Sequence, residues 1–150
     1  MESELFDQTD FRILKMLIEN GRASYATLGK AVGLSAHGAA DRVRRLQRNG
    51  VITGFTAVVE PANLGRSLDA FIDVRLLATT SSEAFESFVL TLPAVREIAF
   101  VTGRFDYHVR VACRGADDLD ATVRAIRHEG AAATETRIVL RSAQGSEVTS

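Results

Sequence analysis

The chain contains one cysteine, Cys113, among 150 residues. That excludes an internal disulfide and a cysteine-rich zinc site. Cys113 continues the alternation of Tyr107, Val109 and Val111, which marks it as a buried strand residue rather than a reactive thiol. No apolar run approaches the roughly 18 residues that a membrane-spanning helix needs. The N-terminal segment MESELFDQTD is acidic and lacks an apolar signal core, so secretion is not expected and the expected compartment is the cytoplasm. There is almost no net charge: 18 basic and 19 acidic residues give −1, so bulk charge says nothing for nucleic acid. The three histidines, His37, His108 and His128, lack metal-ligand spacing, and none sits in a nucleophile motif. The adjacent Asp117 and Asp118 read as helix caps rather than paired catalytic acids. No catalytic residue, metal ligand or cofactor is therefore expected.

What the chain does have is concentrated between Ser24 and Gly50. Leu28, Ala31 and Val32 recur at helical spacing after Ser24, a good N-cap residue. Gly33 stands where the chain must turn, and Ser35 can cap a second helix. In that helix Ala39, Val43 and Leu46 face inward. His37, Ala40, Asp41, Arg44, Arg45 and Arg48 are left outside, with Arg42 nearer the edge. Gly50 ends it. Two short helices joined by a Gly turn, the second basic, form the pattern of a helix-turn-helix, which lays its second helix in the DNA major groove. Charge is local here: from Asn20 to Val59 six cations face Asp41 alone, a net +5. Such a patch can neutralise phosphates and release counterions.

A preceding helix is expected from Asp7 to Asn20, with Asp7 as cap, Asp10 completing a capping-box-like pair, and Ile13, Leu14, Leu17 and Ile18 on its apolar face. Val51–Val59, β-branched and aromatic, reads as a strand or short wing, and Pro61, Asn63 and Gly65 mark a linker. The period then changes. Strands are expected over Ala70–Leu77, Val95–Val101, Tyr107–Cys113 and Thr136–Leu140, with a helix over Ser81–Leu92 and another capped by Asp117 or Asp118. Gly103-Arg104-Phe105-Asp106 is a turn. The order β-α-β-β-α-β is that of a ferredoxin-like split βαβ domain. The expected fold class is α+β. Residues 1–50 form a three-helix DNA-binding domain, 51–66 a strand and linker, 67–142 the ferredoxin-like domain, and 143–150 a flexible tail.

This combination resembles the leucine-responsive regulator/AsnC, or feast/famine, family of transcription regulators. The matching segments are FDQTDFRIL at 6–14, GRASYATLGKAVGLS at 21–35, RVRRLQRNGVITGFTAVVEPANLG at 42–65, LPAVREIAFVTGRFDYHVRV at 92–111 and TETRIVL at 134–140. The resemblance implies a recognition helix over Ser35–Asn49, opened by Ser35, with Ala36, His37, Ala40 and Asp41 at base-reading positions and Arg42, Arg45 and Arg48 closer to phosphates. It implies a homodimer through the C-terminal domain and linker strand, with octamers built from dimers. It also implies a small effector, an amino acid in many relatives, bound near Gly103, Arg104, Phe105, Asp106 and the loop carrying Thr134 and Thr136. Asp106 would take the ammonium, the Gly103 amide would approach the carboxylate, and the threonine hydroxyls would add polar contacts. On the residues alone, Gly103 and Asp106 also suit a plain hairpin turn. Four features depart from the family pattern: Arg104 stands where many relatives carry an acid, the segment HEGAAATETR lacks the common Pro-Gly-Val wording, Gly38 lies inside the recognition helix, and Asp41 puts an acid on the DNA-facing side. Asp41 either accepts from a cytosine amino group or repels phosphates.

The expected function is effector-responsive transcription regulation with duplex DNA, an effector and a second copy of the chain as partners, and no membrane. The alternative is an architectural, nucleoid-type DNA-binding protein without an effector response. An enzyme on the ferredoxin-like domain is the weakest reading.

Overall fold

A computed structural model describes residues 6–143 and 145. Its elements in chain order are α1 (Gln8–Glu19), α2 (Tyr25–Val32), α3 (Ala36–Arg48), a 3₁₀ turn (Pro61–Leu64), β1 (Leu68–Leu76), α4 (Ser82–Val89), β2 (Val95–Phe100), β3 (Tyr107–Cys113), α5 (Ala116–His128) and β4 (Ala131–Ile138). They form two compact units, one ending at Val58 and one spanning Val59–Ala143.

The first unit is three helices. Each has the cap its sequence calls for. The Asp7 carboxylate accepts from the Asp10 N–H and the Asp10 carboxylate accepts from the Asp7 N–H, a complete capping box for α1. Ser24 accepts from the Thr27 N–H and Ser35 from the Gly38 N–H. Ile13, Leu28, Ala39, Val43 and Leu46 make the core. Gly29 lets α2 approach the start of α3: a Cβ there would lie 2.5 Å from the Leu34 carbonyl oxygen and 2.8 Å from that of Ser35. Gly33, at φ 76°, ends α2.

The expected strand over Val51–Val59 does not form. Val51 and Ile52 donate to the Leu46 carbonyl, and residues 53–60 have no regular structure. β-Branched residues favour a strand only where a neighbouring strand supplies hydrogen bonds, and among the described residues none lies beside them. Phe55 and Val59 are about half exposed, and Val58 is 99% exposed.

The second unit is an antiparallel sheet in the order β2-β3-β1-β4, with α4 and α5 on one face. Ala70, Ile72, Val74, Tyr107, Val109, Val111 and Cys113 point toward the helices and bury against Phe85, Val89 and Ile126. Two expectations change. The last strand begins five residues earlier than expected, at Ala131, because pairing with β1 imposes extended geometry on an Ala-Ala-Ala-Thr segment of low strand propensity. Thr134 and Thr136 are therefore strand residues, not loop residues. Gly115, not Asp117 or Asp118, is the N-cap of α5, with no side-chain cap bond; the Asp118 carboxylate accepts from the Arg114 N–H instead. All of the expected tail except residues 143 and 145 lies outside the described residues.

Candidate functional site

α3 has two kinds of surface. Ser35, Ala36, His37, Asp41, Arg44 and Arg48 are exposed. Ala40, expected among them, is not: it is 4% exposed, because the packed face of α3 is wider than the i, i+4, i+7 pattern and takes in Ala40 beside Ala39. A buried methyl group cannot read a base edge, so of the expected base-reading positions only Ala36, His37 and Asp41 are exposed. Asp41 lies between two neighbours, His37 Nε2 at 3.3 Å and Arg44 Nη1 at 3.1 Å. These exposed pairs are weak individually. Arg48 has no ion pair among the described residues.

Arg42 and Arg45 turn to the flank of α3 that faces the start of α1. Arg42 Nη1 donates to both Asp7 oxygens, at 2.7 and 2.6 Å, and to Asp10 Oδ1 at 3.0 Å. Arg45 Nη2 donates to Asp10 Oδ2 at 2.6 Å. The Asp10 side chain is 0% exposed. The Arg42 guanidinium holds the Asp7 carboxyl below its ordinary value, and the Asp7 carboxylate raises Arg42 in return. The local charge expected from residues 20–59 left out these two carboxylates. Over residues 6–59 eight cations meet four carboxylates, a net +4. Asp41, Arg42, Arg45 and Arg48 line a surface depression of about 330 Å³. The Arg45 Nε within this group is buried and has no hydrogen-bond partner among the described residues.

The turn at 103–106 joins β2 to β3. Gly103 has φ 113° and is exposed. The Val101 N–H donates to the Asp106 carbonyl at 2.9 Å, and the Asp106 N–H donates to the Val74 carbonyl at 2.8 Å. Asp106 Oδ2 accepts from the Leu76 N–H at 2.7 Å, so its carboxylate also finishes the end of β1. Arg104 Nη2 lies 3.0 Å from Glu135 Oε2, and its guanidinium stands 4.8 Å from the centre of the Phe105 ring. The turn and β4 thus meet at one end of the sheet, through Glu135. The sequence reading passed over Glu135, which stands between Thr134 and Thr136; alternation on a strand was its only signal. Thr134 Oγ1 accepts from Arg127 Nε at 2.7 Å, while Thr136 is exposed opposite Ile72 in the β1–β4 register.

The sheet face away from the helices carries a second network. Asp73 is 8% exposed; its Oδ1 lies 2.6 Å from His108 Nδ1 and its Oδ2 accepts from Arg137 Nη2 at 2.6 Å. Phe71 stacks on His108 at 4.5 Å, and Arg110 pairs with Asp69 at 2.8 Å. Among the described residues no three of His, Cys, Asp and Glu cluster as metal ligands, and no helix is long and apolar enough to cross a membrane.

Comparison with known proteins matches both units. A family profile described as the AsnC-type helix-turn-helix domain matches residues 6–47, and one described as the Lrp/AsnC ligand binding domain matches residues 69–148. The HTH-type transcriptional regulator FL11 of Pyrococcus horikoshii is 33% identical over 137 residues, covering 91% of this chain and 90% of its own length. A transcriptional regulator of Neisseria meningitidis, solved as a complex with L-Met, superposes with a TM-score of 0.87 at 26% identity, covering 95% of this chain and 94% of that one. E. coli AsnC superposes with a TM-score of 0.82 at 30% identity, covering 95% and 97%. These relatives are regulators rather than enzymes. The two profile matches, the full-length relatives and the shared fold place this chain in the Lrp/AsnC family of transcription regulators.

Proposed function

We propose that the chain acts in the cytoplasm as a homodimer, able to assemble further into octamers, that reads a pseudo-palindromic duplex DNA site with α3. Its DNA affinity changes when an amino acid binds the C-terminal unit. The observation that carries the DNA half is the outer face of α3. Ser35, Ala36, His37, Asp41 and Arg48 stand exposed on a helix whose opposite side, Ala39, Val43 and Leu46, is locked in the core. Two such helices on a two-fold axis suit half-sites about one helical turn, or a multiple, apart. Arg48 and Arg44 supply phosphate contacts; Ala36, His37 and Asp41 meet base edges. The exposed apolar segment around Val58 and the helix-free sheet face support association of two copies through the linker and the C-terminal unit.

For the effector, Asp106 keeps Oδ1 for an ammonium while Oδ2 serves Leu76. Gly103 offers an amide without a side chain in front of it, and Arg104 and Phe105 stand beside it in the turn, whereas Thr134 and Thr136 lie on the helix-side face with Val74 and Ile72, across the sheet from the Arg104–Glu135 pair. The Neisseria relative's complex with L-Met supports an amino acid as ligand. A ligand that favours one assembly over another shifts the population and, with it, the DNA affinity.

The test is a thermal-shift screen against the standard amino acids, followed by DNA titration with any hit. A ligand of the folded state raises the melting temperature by mass action. We expect one hit that also changes DNA affinity and that Asp106→Asn removes; Asn keeps an oxygen for the Leu76 amide but loses the charge. A panel without any stabilising ligand would overturn the effector half.

A further inference from the structure

Arg42 and Arg45 lie three residues apart on α3, and both end on carboxylates at the start of α1. Asp10 does two jobs at once. It completes the α1 capping box through the Asp7 N–H at 3.1 Å, and it binds Arg45 at 2.6 Å and Arg42 at 3.0 Å. Its side chain is fully enclosed. Direct hydrogen bonds between charged groups in such an enclosed place hold geometry better than exposed pairs do. Resting on the DNA reading above, we propose that Asp10, Arg42 and Arg45 form a positioning clamp. It sets how α3 is presented to DNA, and neither Arg42 nor Arg45 contacts a phosphate.

Three features of the site lead there. First, the clamp joins two helices that otherwise meet through apolar side chains, Ile13 of α1 and Val43 and Leu46 of α3 among them. Second, although the Arg45 side chain is 42% exposed, its Nε is shielded from solvent and its Nη2 is held 2.6 Å from the enclosed Asp10 carboxylate, so one edge of the guanidinium is turned into the protein. Third, the cations split cleanly: Arg42 and Arg45 are matched by Asp7 and Asp10, whereas Arg48, one turn beyond Arg45, is unmatched among the described residues and exposed. A cation already neutralised by a buried carboxylate adds little to counterion release. An unmatched one adds close to one released ion per phosphate.

The experiment is binding to a random-sequence 40-base-pair duplex by fluorescence anisotropy across a salt series. It is run for the full chain and for Arg45→Ala, Arg45→Lys, Asp10→Asn and Arg48→Ala, each first checked for helix content. For the unaltered chain, log affinity falls linearly with log salt; a flat line would sink the DNA reading itself, independently of the clamp. Arg48→Ala is expected to shallow the slope by about one for each recognition helix engaged. Arg45→Ala is expected to lower affinity several-fold by the same factor at every salt concentration, with the slope unchanged. Arg45→Lys, which keeps a cation against Asp10, is expected to recover most of that loss. Asp10→Asn adds one unit of positive charge, so a simple charge effect would tighten binding; the clamp requires that it weaken binding in parallel with Arg45→Ala. A shallower slope for Arg45→Ala would overturn the proposal, as would tighter binding by Asp10→Asn or a folded Arg45→Ala protein with unaltered affinity.

Discussion

Asp10 in the helical unit and Asp73 in the sheet unit look alike locally. Each is a nearly or fully enclosed carboxylate held by two nitrogen-bearing side chains at 3.0 Å or less, Arg42 and Arg45 in one case, His108 and Arg137 in the other. What they join differs. Asp73 sits on β1 between β3 and β4, strands already fixed by ladders in which Asp73 is opposite His108 and Glu135. Its ion pairs decorate a geometry that backbone hydrogen bonds determine. Asp10 sits on α1 and reaches α3, and no backbone ladder connects two helices. An ion pair laid across a ladder is redundant, whereas one laid between helices carries information about orientation. The same chemistry therefore has different weight in the two units.

Breaking each carboxylate tests that contrast. The largest effect is expected from Asp10→Ala, which removes a capping-box partner and the partner of two arginines. A loss of about 3 kcal/mol is expected, at the low end for a broken buried pair because Arg45 can swing toward water. Thermal melting followed by helical ellipticity reads it. Next comes Gly29→Ala, which forces a methyl group into the Leu34 and Ser35 carbonyls and should cost about 2 kcal/mol through overpacking. It tests close backbone approach at the α2–α3 contact, apart from the ion pairs that join α1 to α3. Asp73→Ala is expected to cost only about 1 kcal/mol, since His108 and Arg137 remain partly solvated and the ladder persists. A loss equal to that of Asp10→Ala would erase the distinction drawn here.

The smallest effect is a pH dependence. Arg42 holds the folded Asp7 carboxyl below its ordinary value of 3.8. The folded state then binds fewer protons than the unfolded chain in that range, so the contribution of Asp7 is full above 3.8 and is lost as pH falls through the lower, folded value. Asp7→Asn, which keeps a capping side chain, should flatten the acid limb of the melting-temperature curve while leaving its neutral limb parallel to that of the unaltered chain. Identical acid limbs would remove Asp7 from the account.

Local patterns made the helices readable before the structure. Asp7, Ser24 and Ser35 each cap the helix they precede, and apolar spacing located Ile13, Leu28, Val43 and Leu46. The alternation in Tyr107–Cys113 placed a central strand, Cys113 included. Readings failed where the deciding contact was distant. Residues 53–60 have strand composition but no strand beside them in the chain. Ala131–Ala133 have little strand propensity but pair with β1. On α3, the pairing of Arg42 and Arg45 with Asp7 and Asp10 was not visible, because those partners lie more than thirty residues away. A count of charge over a window cannot see such pairing. At the turn between β2 and β3, Asp106 was legible as a turn acid, but its bond to the Leu76 amide was not, and neither was the meeting of Arg104 with Glu135.

The central claim is that the exposed face of α3 reads sequence. The most direct measurement is selection of bound duplexes from a random-sequence library by the full-length protein at physiological salt. The expected result is enrichment of a two-fold related pair of half-sites about one helical turn, or a multiple of it, apart, with the preference altered by His37→Ala and Asp41→Asn. Salt-dependent binding with no enriched motif would contradict it and would leave an architectural DNA-binding protein in its place.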